Sequence, residues 1–408
     1  MLFYFRIGLR NLLKNYRRSI KTIMTVVIGI SACLLFQGFM SHTLWGLQES
    51  LINGGIGHIQ IYRKGYLEHS IEEPYQYLIT DLETLVERLE KVPAVKLIAP
   101  RLNFQGVVSS GGKDAVVVGT AGLSEEEQSL NSMAILKEGS FIKDENPFGV
   151  VIGSGITQKL NVGVGDILTL MVAMKGGGVN AIDLEITGII EGQIKSYNDT
   201  ALFANLNTVR ELIDISDSVD RVILLLDRTE NLEKVGPYLS GLSNEMGLEY
   251  CDWRQLVGTQ YTQPKLFYDL AYVLIMTIIV LVVIGSITNT LNLTMQERVR
   301  EIGTIRSLGT TRLQVGGIFI AESSLIGFSG GLIGIAVGFG LAALLNAIGG
   351  VPIPPPPGHA RGYTAFFKPD FLEGLRLMFL FLITAALSGF YPAYRAARLE
   401  IVDALRWI

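Results

Sequence analysis

The chain has 408 residues, 49% of them hydrophobic and 45 of them glycine, and its mean hydropathy of +0.38 is too high for an ordinary soluble protein of that length. A formal charge of −4 and a pI near 5.7 hide two opposed halves; no nucleic-acid partner is expected, because the excess of basic residues lies beside the apolar runs and no basic-aromatic groove motif is present. Two cysteines, Cys33 and Cys251, and four scattered histidines leave no disulfide framework and no metal centre at ligand spacing.

In chain order, residues 1–19 read as a cytoplasmic amphipathic helix. Arg6, Arg10, Lys14 and Arg17 recur at near-helical steps with Leu2, Phe5, Leu9, Leu12 and Leu13 between them, which suits a helix lying on an anionic leaflet. A first transmembrane helix is expected over 20–44. Its basic start and Ile30-Ser31-Ala32-Cys33 also resemble a lipoprotein signal, yet the apolar run continues through Leu34, Leu35, Phe36 and Phe39, past where a signal stops. A polar block, 45–265, follows. Further spans are expected over 266–294, 316–348 and 375–392, set against the ~20 apolar residues that cross ~30 Å of hydrocarbon. In lipid each must be helical, because backbone polar groups there have no water to bond. A charged segment, 295–315, joins the second and third spans, and a Pro-rich periplasmic loop, 349–374, joins the third and fourth. Residues 393–408 form a tail.

Charge sets the expected orientation. The segment before the first span carries Arg6, Arg10, Lys14, Arg17, Arg18 and Lys21 and no acidic residue. Arg298, Arg300, Arg306 and Arg312 follow the second span, and Arg395, Arg398 and Arg406 lie in the tail. Four crossings put these segments on one face, and its Lys/Arg excess marks that face, with both termini, as cytoplasmic. Between Trp45 and Lys265, 18 Lys and Arg stand against 30 Asp and Glu, a net −12; outside it 16 stand against 8, a net +8. The fold class expected is an α-helical membrane protein with four transmembrane helices, one N-terminal and three C-terminal. It carries a large α+β extracytoplasmic domain of two subdomains.

Within that domain, Gly57 to Tyr62 alternates like a half-buried strand. Thr80-Asp81-Leu82-Glu83 forms a capping box that opens a helix running to about Lys91. Strands are expected at Val95–Ile98, Phe104–Ser109 and Ala115–Gly119. Val150–Gly153 leads into a short helix ending near Leu160, followed by strands at Ile167–Val172 and Leu184–Ile190. This texture reads as a β-rich subdomain, about 145–205, inserted into an αβ unit to which Arg221–Leu226 and a helix from about Asn231 to Met246 return. Gly153-Ser154-Gly155 lacks the full frame of a nucleophile elbow. Neither Gly176-Gly177-Gly178 nor Gly111-Gly112-Lys113 has the frame of a phosphate loop, so no nucleotide hydrolysis is expected of this chain. Glu125-Glu126-Glu127 reads as a solvated helix start.

The last third carries the most specific motifs. Asn289 to Leu308 reads NTLNLTMQERVREIGTIRSL, then Gly309-Thr310-Thr311-Arg312, and the chain closes Tyr391-Pro392-Ala393-Tyr394-Arg395-Ala396-Ala397-Arg398. These segments resemble the FtsX-type permease domain of ABC transporters in the MacB and lipoprotein-releasing group. Ile152-Gly153, Leu160 and Val164-Gly165-Asp166 are similar to that group's periplasmic domain. Gly57-His58-Ile59-Gln60-Ile61 and Ile353-Pro354-Pro355-Pro356-Pro357-Gly358 look closest to the LolC/LolE-like branch.

The resemblance implies a permease subunit of the bacterial inner membrane, driven by a cytoplasmic ABC ATPase dimer that holds ATP and Mg. A second permease protomer, the same chain or a paralogue, completes it. The charged segment becomes the coupling helix, with Glu297, Arg298, Arg300, Glu301, Arg306 and Gly309 as ATPase-coupling residues. Helical spacing lets Glu297, Arg300, Glu301 and Arg306 pair among themselves, and Gly309 ends the helix; without the resemblance the segment reads equally as a solvated connector. In the lipoprotein-releasing branch a lipid-anchored substrate enters a cavity between the first and second spans and leaves to a periplasmic lipoprotein carrier. Phe36, Phe39, Met40, Leu44, Phe267, Leu270 and Leu274 would line that cavity here. Gly330, Gly334 and Gly338 form a close helix-packing stripe. Glu322, expected about one turn inside the cytoplasmic end of the third span, is a costly intramembrane carboxylate. MacB-like export of drugs, toxins or peptides, and mechanical regulation of a cell-wall hydrolase, are the alternatives.

Overall fold

The computed structural model describes every residue except 1, 71, 73–74, 124–129, 131–133, 144, 193, 216, 355–362, 401–403 and 405–408. The acidic run Glu125-Glu126-Glu127, prolines 355–357, His359, the tail residue Arg406 and the side chains of Leu2 and Phe5 lie outside the described residues. The chain divides into two compact units. A helical unit holds Met1–Trp45, Gln263–Pro352 and Thr364–Ile408, and a sheet unit holds Gly46–Thr262 and Ile353–Tyr363.

Among the described residues, four helices are long and apolar enough to cross a membrane: Tyr16–Asn53, Thr259–Glu297, Arg312–Ala347 and Phe371–Arg398, the last in two pieces, Phe371–Ser388 and Phe390–Arg398. The first two have 38 and 39 residues; the first runs to Asn53, past the end expected at 44, and the second starts at Thr259, ahead of the expected 266. Hydropathy registers only the lipid-facing stretch, whereas the backbone stays helical through the polar residues beyond it. The third begins at Arg312 rather than 316, capped by Thr311, whose hydroxyl accepts from Gln314 N while Gln314 reaches back to Thr311 N.

Small residues set how these helices pack. A Cβ at Gly330, Gly334 or Gly338 would press against Val26, Ile30 or Leu34 of the first span, at 2.7, 3.0 and 3.1 Å. These partners advance by four residues each time, so one glycine face of the third span lies along one face of the first. A second glycine face turns to the fourth span, with Gly327 against Ala385 and Gly331 against Met378. Val26, Ile30, Leu34, Ile287, Leu291, Phe319 and the fully buried Phe381 form the shared core. The N-terminal helix Leu2–Lys14 also joins this bundle. A Cβ on its Gly8 would meet Leu325 at 3.2 Å, while Leu9 and Leu13 stay exposed. It is therefore partly a bundle helix, not only a leaflet helix.

The sheet unit has two parts. Strands β1 (Ile59–Arg63), β2 (Val95–Ser110), β3 (Lys113–Gly122), β4 (Ile135–Gly139), β5 (Gly149–Gly153), β6 (Ile167–Ala173), β7 (Val179–Glu191), β8 (Ala201–Asn205), β9 (Arg221–Leu226) and β10 (Leu248–Asp252) follow in chain order. The first part is antiparallel, in the order β10-β1-β9-β2. The apolar run of β9 explains its central place: Val222, Leu224 and Leu226 enter the main core, while Ile223 and Leu225 pack with Ile52, Ala99 and Trp253 on the other face. The second part closes on itself. β2 pairs β3, β3 pairs β8, β8 pairs β5, β5 pairs β7, β7 pairs β6, and β6 returns to β2. A closed ring leaves no edge among its members, and its interior is filled by residues such as Leu102, Phe104, Val117, Ile152, Leu170 and Leu202.

Two local expectations need correction. Val95–Ile98 and Phe104–Ser109 belong to one strand, β2, whose first half pairs β9 and whose second half enters the ring. The inserted part therefore starts near Leu102, not 145. The helix after Thr80 runs Leu82–Glu90 with Asp81 as its N-cap, and its side-chain cap bond is not made. Gly111 and Gly112, with φ of 56° and 76°, are the two-residue hairpin turn between β2 and β3, a geometry open to glycine at both positions.

Candidate functional site

The charged segment after the second span folds as a separate helix, Val299–Ser307, broken from the preceding one at Arg298, where φ is −109° and ψ 10°. The break removes the pairings expected within one continuous helix. Glu297 instead pairs with Arg18 at 2.7 Å, and Arg300 is exposed. Glu301 accepts from Arg298 Nε at 3.0 Å and from Lys14 Nζ at 3.1 Å. These two bonds hold its carboxyl below the usual carboxylate range, the Arg298 bond contributing most. Arg298 also donates through Nη1 to Glu322 Oε1 at 3.2 Å.

An alternating chain of charge results: Lys14, Glu301, Arg298, Glu322. Side-chain exposure falls along it from 66% to 49%, 14% and 2%. Solvent screens the outer pair, which contributes at most about 1 kcal/mol. The inner pair is the sensitive one, because removing either partner leaves a buried charge uncompensated, at a cost of roughly 3–5 kcal/mol. Glu322 is buried in the helical bundle, 2% exposed. Its helix begins at Arg312, so it stands about 15 Å from that end at ~1.5 Å per residue.

At its far end the Val299–Ser307 helix stops in a Schellman turn. Gly309 takes φ 101°, its N–H reaches Arg306 O at 3.0 Å, and Thr310 N reaches Ile305 O at 3.3 Å. Arg306 donates to the carbonyl of Leu399. Ile305, Leu308 and Leu313 stand out around this turn, 38%, 82% and 89% exposed. Together they make an exposed apolar patch around the turn. Sequence reasoning passed over them, as it did Lys14 and Arg18 as partners of this segment. The signal was present: two leucines flank a glycine turn inside a charged run.

The expected cavity residues do not form one surface within this chain. Met40 is buried, Phe36 stacks on Tyr272 with centroids 6.4 Å apart, and Phe39 packs against Phe367 at 6.1 Å. Leu44 is half-buried. Phe267, Leu270 and Leu274 of the second span are exposed, in line with Leu281 further along the same helix. The first-span half of the set is thus engaged in packing and the second-span half is open.

The sheet unit presents no group of three or more His, Cys, Asp or Glu able to hold a metal among the described residues. His58 is structural. Its Nδ1 accepts from Leu226 N at 3.1 Å, so Nε2 carries the proton toward Thr229 Oγ1 at 3.1 Å, and burial lowers its pKa. Asp220 is buried and gathers Tyr66, Asn103 N and Arg221, the last at 2.8 Å. Desolvation and the neighbouring carboxylate push the Tyr66 hydroxyl well above its ordinary range. Gly153-Ser154-Gly155 joins β5 to the helix Ser154–Leu160, and a Cβ at Gly155 would meet Asn198 O at 2.8 Å. Close backbone approach accounts for that glycine.

The fold and the site together define a multi-pass membrane permease with a large periplasmic-type α/β domain. Residues 19–241 match the MacB-like periplasmic core domain and residues 273–401 the FtsX-like permease C-terminal domain, and the chain belongs to this family of ABC transporter permeases. It is 28% identical over 339 residues to the lipoprotein-releasing system transmembrane protein LolE of Haemophilus influenzae, covering 79% of this chain and 80% of that protein. It is 25% identical over 391 residues to LolC of the same organism, covering 94% and 91%. The periplasmic region of MacB from Actinobacillus actinomycetemcomitans overlays with a TM-score of 0.38 at 13% identity, covering 52% of this chain and 97% of that one. Members of the family function with a cytoplasmic ABC ATPase.

Proposed function

We propose that this chain is the membrane subunit that extracts lipoproteins from the inner membrane and passes them to a periplasmic carrier. A partner ATPase dimer, binding ATP and Mg, drives the cycle, and a second permease protomer faces this one. Both termini and the Val299–Ser307 helix lie in the cytoplasm. The observation that carries the reading is the relation to LolE and LolC over most of the chain. The exposed apolar face of the second span, with Phe267, Leu270 and Leu274, supports it as a surface for acyl chains.

Each acyl CH₂ buried in the bilayer is worth about 0.8 kcal/mol, so withdrawing a multiply acylated anchor needs an external source of free energy. ATP-driven motion enters through the Val299–Ser307 helix. The docking face is its open side: Arg300, Ile305, Leu308 and Leu313. Glu301 and Arg306 are already engaged within this chain, by Lys14 and by the Leu399 carbonyl, and hold the helix in place.

The test is release from liposomes. The chain, its ATPase and a triacylated lipoprotein are co-reconstituted, and ATP with a soluble carrier is added. ATP-dependent appearance of lipoprotein on the carrier is the expected result. No release, alongside ATP hydrolysis stimulated by small amphiphiles, would replace this reading with export; activation of a purified wall hydrolase would replace it with regulation.

A further inference from the structure

We infer that Glu322 and Arg298 are positioning residues that tie the coupling helix to the third span, so that displacement of this short helix moves the bundle and not the second span alone. This rests on the reading of Val299–Ser307 as the ATPase-coupling helix.

Arg298 occupies the break between the second span and Val299–Ser307. A broken helix transmits little bending by itself, because no i→i−4 ladder is continuous through the joint. What spans the joint is the Arg298 side chain, one arm on Glu301 in the coupling helix and the other on Glu322 in the third span. Glu322 is 2% exposed and, with Asn11, lines a small cavity. The Arg298 end of the coupling helix is thereby anchored in the low-dielectric interior, where an ion pair resists separation. The opposite end is held by Arg306 on the carbonyl of Leu399. Two attachments define the direction of a short rod. From Glu322 the third span leads to the first through the Gly330, Gly334 and Gly338 contacts, which are backbone-close and have little slack. The desolvation cost of this buried carboxylate is offset in part by the paired Arg298 guanidinium; an apolar residue would pack as well and couple nothing.

The experiment uses the full chain in lipid nanodiscs with its ATPase. Glu322→Gln should raise amide exchange of residues 299–307 at least tenfold, leave exchange of Gly149–Gly153 unchanged, and weaken ATPase binding at least fivefold. Arg298→Lys, which keeps the charge but loses the fork, should give smaller changes in the same direction. Unchanged exchange of 299–307 in Glu322→Gln, or raised exchange with unchanged ATPase binding, would overturn the tether. If the unaltered chain bound no ATPase, the coupling role would fall, while the exchange data would still judge the attachment by itself.

Discussion

The hydroxyl of Ser31 in the first span donates to the carbonyl oxygen of Gly334 in the third, at 2.9 Å, and both residues are buried. A backbone carbonyl is within reach only because position 334 has no Cβ, which would stand 3.0 Å from that of Ile30. The bond and the glycine stripe are one feature: close approach permits the hydrogen bond, and the bond fixes the register of the two helices.

Gly334→Val should therefore destabilise the bundle by about 1–3 kcal/mol, the usual cost of overpacking, and Ser31→Ala by about 0.6 kcal/mol. Thermal unfolding in nanodiscs measures both. Gly340→Val is the control, since nothing among the described residues lies within 4 Å of a Cβ there. Equal losses at 334 and 340 would refute the packing argument.

Leu308→Asp and Leu313→Asp, at two of the most exposed apolar positions of the helical unit, should each cut co-purification of the ATPase about tenfold, a change of ~1.4 kcal/mol in binding. Membrane insertion and melting should not move, because neither side chain is buried. An undiminished ATPase yield from both variants would place the docking face elsewhere.

Burial lowers the pKa of His58, with Asp227 and Glu230 opposing more weakly. Protonation is then easier in the unfolded chain, whose histidine titrates near ~6.5. The stability contributed by the neutral ring is present above that value and is lost as pH falls from it toward the folded pKa. Exchange of the β9 amides should accelerate between pH 7 and 5.5 after correction for intrinsic rates, and His58→Gln should flatten this dependence. Protection that increases on acidification would contradict the burial argument.

Asn161 ends the helix Ser154–Leu160 with φ 61° and ψ 51°, its N–H on Thr157 O at 2.8 Å. Asn161→Val should cost about 1–2 kcal/mol in the sheet unit, the penalty for a branched residue in the left-handed region, while Asn161→Gly should be close to neutral. Melting of the sheet unit within the full chain, followed by exchange at β5, separates the two; similar losses would argue against backbone strain as the cause.

The orientation can be read by thiol labelling. With Cys251→Ser as background and Cys33 buried, Lys234→Cys should react with an impermeant maleimide from the periplasmic side, and Ser307→Cys only after the inner membrane is opened. The reverse pattern would invert the topology and move the charged turn away from any cytoplasmic engine.

Much of this architecture follows from local sequence. Long apolar runs can only be helices in lipid, which is why four membrane helices and a polar α/β block were legible from hydropathy alone. Most strand and helix positions followed from alternation and turn residues, as with Arg221–Leu226 and the helix ending at Leu160. Arg298, Glu301 and Glu322 were conspicuous as charges near lipid, but their partnership was not. Lys14 and Glu301 are 287 positions apart, and Arg298 and Glu322 are 24 apart across a glycine turn. The closing of β2, β3, β8, β5, β7 and β6 into a ring, and the turning inward of Met40 while Leu270 stays open, are equally non-local. Periodicity reports which face of an element is apolar; which partner covers that face is decided by the packing of the whole bundle, and only the tertiary structure holds that information.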